Sequence, residues 1–325
     1  MKKLNVVVAA VTVVMVVLGA AVTRADGAGG HHHGGKAAPK AKANKADAPG
    51  QFVCPMHPDV TASSPGTCPK CGMNLTPAHA GHGGTQTTVL QAEVTTSAPI
   101  RAGTRAEATL HLKSRDGAPV TMDGLTVAHT KKIHLLIIDP SLTDYHHEHP
   151  EPSAVPGQFS FRFTPAKPGP YRVWVDVIPT SSGEQEYVIA DIPSDAAPEA
   201  LTLRDTTLTS TVDGMKFDLT LDTATPTVGK PIRGKLRITG KDGKPFKRLE
   251  PIMGAYAHIV GFSEDNKTIA HIHPMGREPT KDSDRGGPEL EFHLVPEKAG
   301  FLRLFSQVQV GGTSRFARFG LTAKD

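Results

Sequence analysis

An internal repeat constrains the fold of this chain more than any other feature of its sequence. In the first copy Gly103 precedes an Asp-Gly turn dipeptide by thirteen residues, and in the second copy Gly229 precedes another at the same interval. Each copy then reaches an apolar segment with one histidine, His134 or His258, and thirteen residues later a His-x-His-Pro motif. Shared spacings of this kind predict two units of similar fold in tandem.

Each copy ends in three short runs that alternate or are continuously apolar, as strands do. They are FSFRF, YRVWVDVI and EYVIADI in the first copy, and ELEFHLV, FLRLFSQVQV and SRFARFGL in the second. Short strands, frequent turns and copies of about 110 residues are typical of immunoglobulin-like sandwiches. The sequence therefore predicts a mainly β protein with two tandem immunoglobulin-like β-sandwiches, at residues 86–194 and 195–325, with the border in the Pro- and Ala-rich stretch 193–200.

The N-terminus has the pattern of an export signal. Lys2 and Lys3 precede an apolar stretch over residues 4–22, and Thr23-Arg24-Ala25 places small residues at the positions that signal peptidases read. We expect a signal peptide over residues 1–25, and the alternative is an uncleaved membrane anchor. Both predict that the rest of the chain is periplasmic, secreted or on the cell surface.

Two low-complexity segments follow the signal. Residues 26–50 are rich in Gly, Ala, Lys and Pro and predict a disordered linker, within which His31, His32 and His33 either bind metal loosely or are simply solvated. Residues 78–85 predict a second linker. Between the two linkers, residues 51–77 hold all three cysteines of the chain.

Composition excludes one class of partner and favours another. The chain has 36 basic and 32 acidic residues, a formal charge of +4, and three of the basic residues lie in the predicted signal. Such a balance offers no electrostatic footprint for nucleic acid. Sixteen histidines against one tryptophan and four tyrosines point instead to metal ions, because imidazole is the commonest metal ligand.

The cysteine segment has the spacing of a metal site. Cys68 and Cys71 form a Cys-x-x-Cys knuckle, and Cys54 with His57 completes a Cys3His set suited to tetrahedral zinc. Met56 and Met73 add soft thioethers, which favour Cu(I) or Ag(I). So short a segment needs a metal to fold. Two alternatives are a purely structural zinc ribbon and a disulfide between the paired cysteines with the third left free.

The Cys-Pro-Met-His-Pro opening and the Pro-Gly-x-Cys-Pro-x-Cys-Gly-Met-x-Leu close resemble the small heavy-metal-binding domain found beside copper-transporting P-type ATPases and on copper/silver efflux fusion proteins. The resemblance covers residues 52–76, with Phe52 where the family has tyrosine. It implies heavy-metal handling, a metal-efflux or membrane transport protein as partner, and a set of candidate ligands: Cys54, Met56, His57, Cys68, Cys71 and Met73.

The His-x-His-Pro motifs predict further metal sites. In a strand, residues i and i+2 share a face, so His271 and His273 project together, with Cα atoms roughly 7 Å apart. The strand of His258 is the expected hairpin partner, and three imidazoles suit Cu(II) or Zn(II). The proline after the motif ends the strand and is expected to place the pair at a rim. The alternative is a structural corner with imidazoles hydrogen-bonded to backbone.

The first copy has the corresponding set His134, His147 and His149, with one complication. Glu148 stands where the second copy has Ile272, and a buried glutamate needs a partner. Either it finds one, or the register shifts and His146 with Glu148 forms the exposed pair; on this ground the second copy is the better candidate. His129 and Met253, five residues before the central histidines, are candidate outer ligands.

These features favour an exported metal-binding protein, with copper or zinc as the ion, that traffics, sequesters or confers resistance to heavy metal. The duplicated domains also look similar to extracytoplasmic domains that accompany heavy-metal-binding modules. No G-x-S-x-G, H-E-x-x-H or phosphate loop is present, so we expect no enzyme. A blue-copper carrier needs a cysteine inside a β-domain, and none lies there. The alternative function is an envelope interaction protein with a structural zinc ribbon.

Overall fold

The computed structural model describes residues 52–53, 60–64, 66, 69, 75–77, 88–201, 203–272, 274–275 and 278–325, which belong to one compact unit, Asn44–Asp325. In the cysteine segment it shows a three-stranded antiparallel ribbon of order β2-β1-β3, made of β1 (Phe52–Val53), β2 (Thr61–Ala62) and β3 (Thr76–Pro77). Within the described part of the chain, no helix has the length and apolarity needed to cross a bilayer.

The first repeat copy folds into two antiparallel sheets. One sheet has the order β4-β5-β10-β9, and the other the order β12-β11-β7-β8, with β6 pairing with β11. A short 3-10 helix, Met122–Gly124, precedes β6. The strands are β4 (Leu90–Thr96), β5 (Ala106–Ser114), β6 (Leu125–Thr126), β7 (Ile133–Ile138), β8 (Tyr145–Glu148), β9 (Glu151–Pro152), β10 (Gln158–Phe163), β11 (Tyr171–Pro179) and β12 (Glu186–Ile192).

The second copy repeats this arrangement. Its sheets have the orders β13-β14-β15-β19-β18 and β17-β16-β20-β21. The strands are β13 (Thr209–Val212), β14 (Met215–Leu221), β15 (Ile232–Thr239), β16 (His258–Ser263), β17 (Ile269–Ile272), β18 (Pro274–Met275), β19 (Glu289–Leu294), β20 (Gly300–Val310) and β21 (Thr313–Ala323). The fold class expected from the sequence, mainly β with antiparallel sandwiches, is confirmed.

Each sandwich closes on its own apolar core because its strands alternate. Along β5 the residues Ala108, Leu110 and Leu112 point inward while their neighbours are more exposed, and they meet Leu135 and Ile137 of the opposite sheet. The strand β15 alternates in the same way against the second core. Alternation of period two gives one buried face and one polar face, the pattern of an outer sheet.

The central strands β7 and β16 do not alternate, and all six residues of each are buried. Continuous burial means that both faces of these strands are covered. One face lies in the sandwich core, and the other packs the two sandwiches against each other in a third apolar cluster. We call this cluster the inter-sandwich face; its buried members are Leu136, Ile138, Leu142, Tyr145, Trp174, Val260, Phe262, Ile269 and Phe305.

Candidate metal centre

Three histidines of the first sandwich converge at the edge of the inter-sandwich face. The register pairs Leu136 of β7 with His147 of β8, so His147 shares a face with Leu136 and with His134, two residues away. His149 follows immediately after β8. The Nδ1 atom of His134 lies 3.1 Å from Nε2 of His147 and 3.1 Å from Nε2 of His149. The three ligand atoms all lie within 4.8 Å of one another, as metal ligands do.

A tight turn before β7 fixes the ring of His134. Nε2 of His134 lies 2.9 Å from the carbonyl oxygen of Ala128 and donates to it. Ala128 and Lys131 pair through two backbone hydrogen bonds, with His129 at φ 47° and Thr130 at φ 70° between them. Left-handed backbone at a β-branched residue costs about 1–3 kcal/mol and persists where the surroundings impose it. The turn presents the carbonyl oxygen of Ala128 to Nε2 of His134, so Nδ1 of His134 faces the other two rings.

The second sandwich fixes the ring of His147. Nδ1 of His147 donates to Oε1 of Gln307 over 2.9 Å, and Nε2 of Gln307 donates to Oγ of Ser314 over 3.1 Å. The hydroxyl of Ser314 in turn donates to Oε1 of Gln309 at 2.9 Å, which orients the amide of Gln307. The proton of the His147 ring is thus held on Nδ1, and Nε2 presents its lone pair to the site.

The arrangement fits a metal ion. Nδ1 of His134 and Nε2 of His147 lie 3.1 Å apart, and each ring makes a second hydrogen bond through its other nitrogen. Burial first, and then the neighbouring His134 and Lys131, lower the pKa of His149 to about 3, so this ring is neutral at ordinary pH. Three imidazoles, two of them anchored by an outer hydrogen bond, are the donor set that Zn(II) and Cu(II) take.

The second copy builds the same frame. His258 opens β16, and its Nε2 lies 3.1 Å from the carbonyl oxygen of Ile252, in a turn with Met253 at φ 48°. The register pairs Val260 with His271, as Leu136 pairs with His147. His258 and the β17 hairpin therefore occupy the expected positions, while the side chain of His271 and all of His273 lie outside the described residues. The expected preference for the second copy stays a prediction.

Histidines from both sandwiches meet at this edge. The ring of His129 lies between His134, at a centroid distance of 6.1 Å, and His258, at 5.5 Å. The ring of His147 lies 6.1 Å from that of His258. His129, expected as an outer ligand, thus adjoins the group formed by His134, His147 and His149, and Met253 holds the matching turn position in the second copy.

The structure decides between the two registers that the sequence left open for the first copy. The register does not shift: His147, rather than His146, shares the face of His134, while His146 packs against Phe163 and its Nε2 lies 3.1 Å from Asp144. The corresponding group of the first copy is not at an open rim, because His134 is 2% exposed and His147 bonds to Gln307 of the second sandwich. The rim expected for His271 and His273 lies outside the described residues and stays a prediction. Burial raises the pKa of Glu148, and the charges of His146 and Arg105 act in the opposite direction. These two neighbours are the partners that a half-buried glutamate needs.

The six candidate ligands of the cysteine segment, Cys54, Met56, His57, Cys68, Cys71 and Met73, lie outside the described residues, so this set stays a prediction. What the structure shows is how the segment is held. Leu75 is buried, its amide donates to the carbonyl oxygen of Gly66 at 2.7 Å, and it packs with Phe52, Val60, Ala62 and Met275. Met275 belongs to the second sandwich and comes two residues after the last histidine of its His-x-His-Pro motif.

Sequence reasoning did not find Gln307, because nothing local marks a glutamine in a strand as the partner of a histidine 160 residues away. One sequence pattern does indicate that the two sandwiches pack against each other. The segments IHLLII and HIVGFS lack alternation, and a strand buried on both faces of an antiparallel sandwich needs a second layer. That pattern predicts that the two sandwiches pack through these sheets, and so that residues of one can reach the histidines of the other.

Two family models match the chain. The model of a domain of unknown function (DUF8832) matches residues 87–190 and 210–325, and the model described as a heavy metal binding domain matches residues 51–78. The DUF8832 matches cover more than half of the chain and coincide with the two sandwiches. The second match coincides with the ribbon and confirms the resemblance drawn from its cysteine motif.

Relatives among known proteins are partial or distant. The chain is 50% identical over 36 residues to a silver exporting P-type ATPase of Salmonella typhimurium, which is 11% of this chain and 4% of the ATPase. The chain therefore spans only a small part of that relative. Among solved structures, the D00-D0 domain of intimin covers 72% of this chain and 100% of its own, at 11% identity and a TM-score of 0.20. Domains 4 and 5 of the S-layer protein SbsC cover 72% and 98%, at 12% identity and a TM-score of 0.21.

Proposed function

This chain belongs to the DUF8832 family and carries a heavy metal binding domain, and from that premise we propose an extracytoplasmic, non-enzymatic metal-binding protein that takes part in copper trafficking or resistance. One observation carries the proposal: the ligand atoms of His134, His147 and His149 lie within 4.8 Å of one another. The second proposed metal site is the cysteine module, where soft thiolate and thioether donors suit Cu(I). The imidazole group suits Cu(II) or Zn(II), so the two sites together accept both oxidation states of copper.

In this proposal the protein's own residues position the ion, and the ion is cargo. His134 and His147 present lone pairs that Ala128 and Gln307 hold in place, so little reorganisation is needed on binding. The contact between Leu75 and Met275 holds the cysteine module against the second sandwich, next to its His-x-His-Pro strand. That position supports exchange of an ion between module and sandwich within one protein. Delivery to a membrane metal transporter is proposed from the short similarity to the silver exporting ATPase.

The test is the metal content of the full chain after equilibrium dialysis against copper or zinc, compared among three proteins. The first is the parent, the second carries Cys54, Cys68 and Cys71→Ser, and the third carries His134, His147 and His149→Ala. We expect the cysteine variant to retain at least one equivalent of Cu(II) or Zn(II) and the histidine variant to lose it. A cysteine variant free of metal beside a parent with a single zinc would overturn the proposal and favour an envelope interaction protein with a structural zinc ribbon.

A further inference from the structure

The candidate centre draws residues from both sandwiches. All three converging imidazoles come from the first sandwich, yet the acceptor that holds the His147 ring, Gln307, belongs to β20 of the second. Gln307 is 5% exposed and lies opposite His258 in the register of β16 and β20. A residue of the second sandwich therefore decides which nitrogen of His147 is available to a metal.

The position of Gln307 has a counterpart in the first sandwich. Asp176 of β11 lies opposite His134 in the register of β7 and β11, as Gln307 lies opposite His258. Asp176 is 1% exposed and accepts from Nε2 of Gln185 at 2.7 Å. Both repeat copies thus place a buried side chain with an acceptor oxygen beside the central histidine. In the second copy this side chain is Gln307, and the packing of the two sandwiches brings it to His147 of the first copy.

Apolar packing between the sandwiches positions Gln307 next to His147. Tyr145, two residues before His147 on the same strand face, lies with its ring centroid 5.4 Å from Phe262 and 4.9 Å from Phe305. Phe305 in turn lies two residues before Gln307 on β20. Because residues i and i+2 share a strand face, the aromatic contact and the His147–Gln307 hydrogen bond are consecutive steps along one interface. Packing of the aromatic rings therefore also brings Gln307 within hydrogen-bonding distance of His147.

We propose that Gln307 is a positioning residue for the metal centre and that an ion at His134, His147 and His149 clamps the two sandwiches together. This inference rests on the proposed function. Outer hydrogen bonds to ligating histidines fix the tautomer and raise the basicity of the ligand. By linkage, if docking of the second sandwich strengthens metal binding, metal binding strengthens docking by the same factor.

The first experiment measures Cu(II) affinity by chelator competition, and the Cu(II) EPR spectrum, in the full chain with Cys54, Cys68 and Cys71→Ser. Three variants are compared in this background: Gln307→Leu, Gln307→Glu and the matched control Gln91→Leu, at an exposed position of β4. Loss of an outer-shell partner typically lowers metal affinity by about 10–100-fold, which we expect for Gln307→Leu. We expect Gln307→Glu to match or exceed the parent, because a carboxylate accepts the Nδ1 proton more strongly. The control should bind like the parent with an unchanged spectrum.

A packing role alone predicts the opposite order, since leucine suits an apolar interface better than a buried carboxylate does. Equal affinities in all variants, or weaker binding by Gln307→Glu than by Gln307→Leu, would overturn the positioning role while leaving the proposed function intact. No Cu(II) or Zn(II) binding in the cysteine-free parent would overturn both the positioning role of Gln307 and the proposed function. The melting temperature of each metal-free variant, measured in parallel, separates loss of ligand geometry from loss of fold.

The second experiment tests the clamp by hydrogen exchange with and without Cu(II) in the same background. At a metal concentration 100 times Kd, mass action slows openings that break the site by up to about a hundredfold. We expect this slowing in β16 and β20 of the second sandwich as well as in β7 and β8. Slowing confined to β7 and β8 would show that the ion does not join the sandwiches.

Discussion

Nδ1 of His134 and Nε2 of His147 lie 3.1 Å apart, and each ring makes a second hydrogen bond through its other nitrogen. Ring nitrogens this close can bind one cation together, as neighbouring ligands of a metal ion do.

The first prediction concerns His149→Leu. The described contacts of His149 are with the other two rings, so its removal should change the metal-free melting temperature little. With the third ligand gone, the stabilisation by Cu(II) or Zn(II) should largely disappear; in the parent it amounts to about 2.7 kcal/mol at 100 times Kd. Thermal unfolding with and without metal in the cysteine-free background measures both. A variant that keeps the full metal-induced shift contradicts the assignment of His149 as a ligand.

The second prediction concerns Tyr145→Ala at the inter-sandwich face. Tyr145 is 7% exposed, and its ring packs against Phe262, Phe305 and Phe316. Truncation of a buried aromatic costs about 3–5 kcal/mol. Because this ring joins two sandwiches with separate cores, we expect unfolding in two resolved calorimetric transitions. Tyr145→Phe keeps the ring and serves as control; a single transition in Tyr145→Ala would mean that other contacts couple the sandwiches.

The third prediction concerns Met275→Asp, which places a charge against Leu75 and the ribbon residues packed around it. A carboxylate cannot enter an apolar contact without a partner, so the cysteine module should separate from the second sandwich. Hydrogen exchange at Phe52 and Leu75 should accelerate, whereas both sandwiches keep their protection. Met275→Leu preserves the apolar contact and should behave like the parent. Unchanged exchange in the aspartate variant would show that the module is held elsewhere.

The fourth prediction concerns pH and Asp144. Burial acts to raise the pKa of Asp144, but hydrogen bonds from His146, Tyr171 and the Ala166 amide outweigh it and leave the pKa below its usual value. A folded-state pKa below the unfolded one gives stability that is present above the unfolded value of about 3.9 and lost as pH falls through the folded one.

Asp144→Asn should therefore cost about 1–3 kcal/mol at neutral pH, and the difference from the parent should shrink as the pH falls below about 4. Urea unfolding at a series of pH values measures it, with the exposed Asp123→Asn as control. A difference that stays constant down to pH 2 would contradict an ionised, hydrogen-bonded Asp144 in the folded state.

Much of the fold follows from local sequence. The runs expected as strands are strands in the structure: FSFRF lies in β10, YRVWVDVI in β11 and SRFARFGL in β21. Side-chain alternation and turn residues act over a few positions, which is why they can be read directly. The grouping of His134 with His147 also follows from the sequence, because a thirteen-residue separation spans one hairpin.

Other features depend on contacts between segments far apart in the chain. The register of β7 and β8 decides that His147, and not His146, joins His134, because neighbouring residues on a strand face opposite sides and a shift by one residue would exchange them. The amide of Gln307 reaches His147 across 160 positions only because the two sandwiches pack through Tyr145 and Phe305. The sequence by itself determined the β-sandwich repeat, the cysteine motif and the set of histidines available. Only the tertiary structure decided which nitrogen each ring presents and which sandwich holds it, since hydrogen-bond partners distant in sequence leave no local pattern.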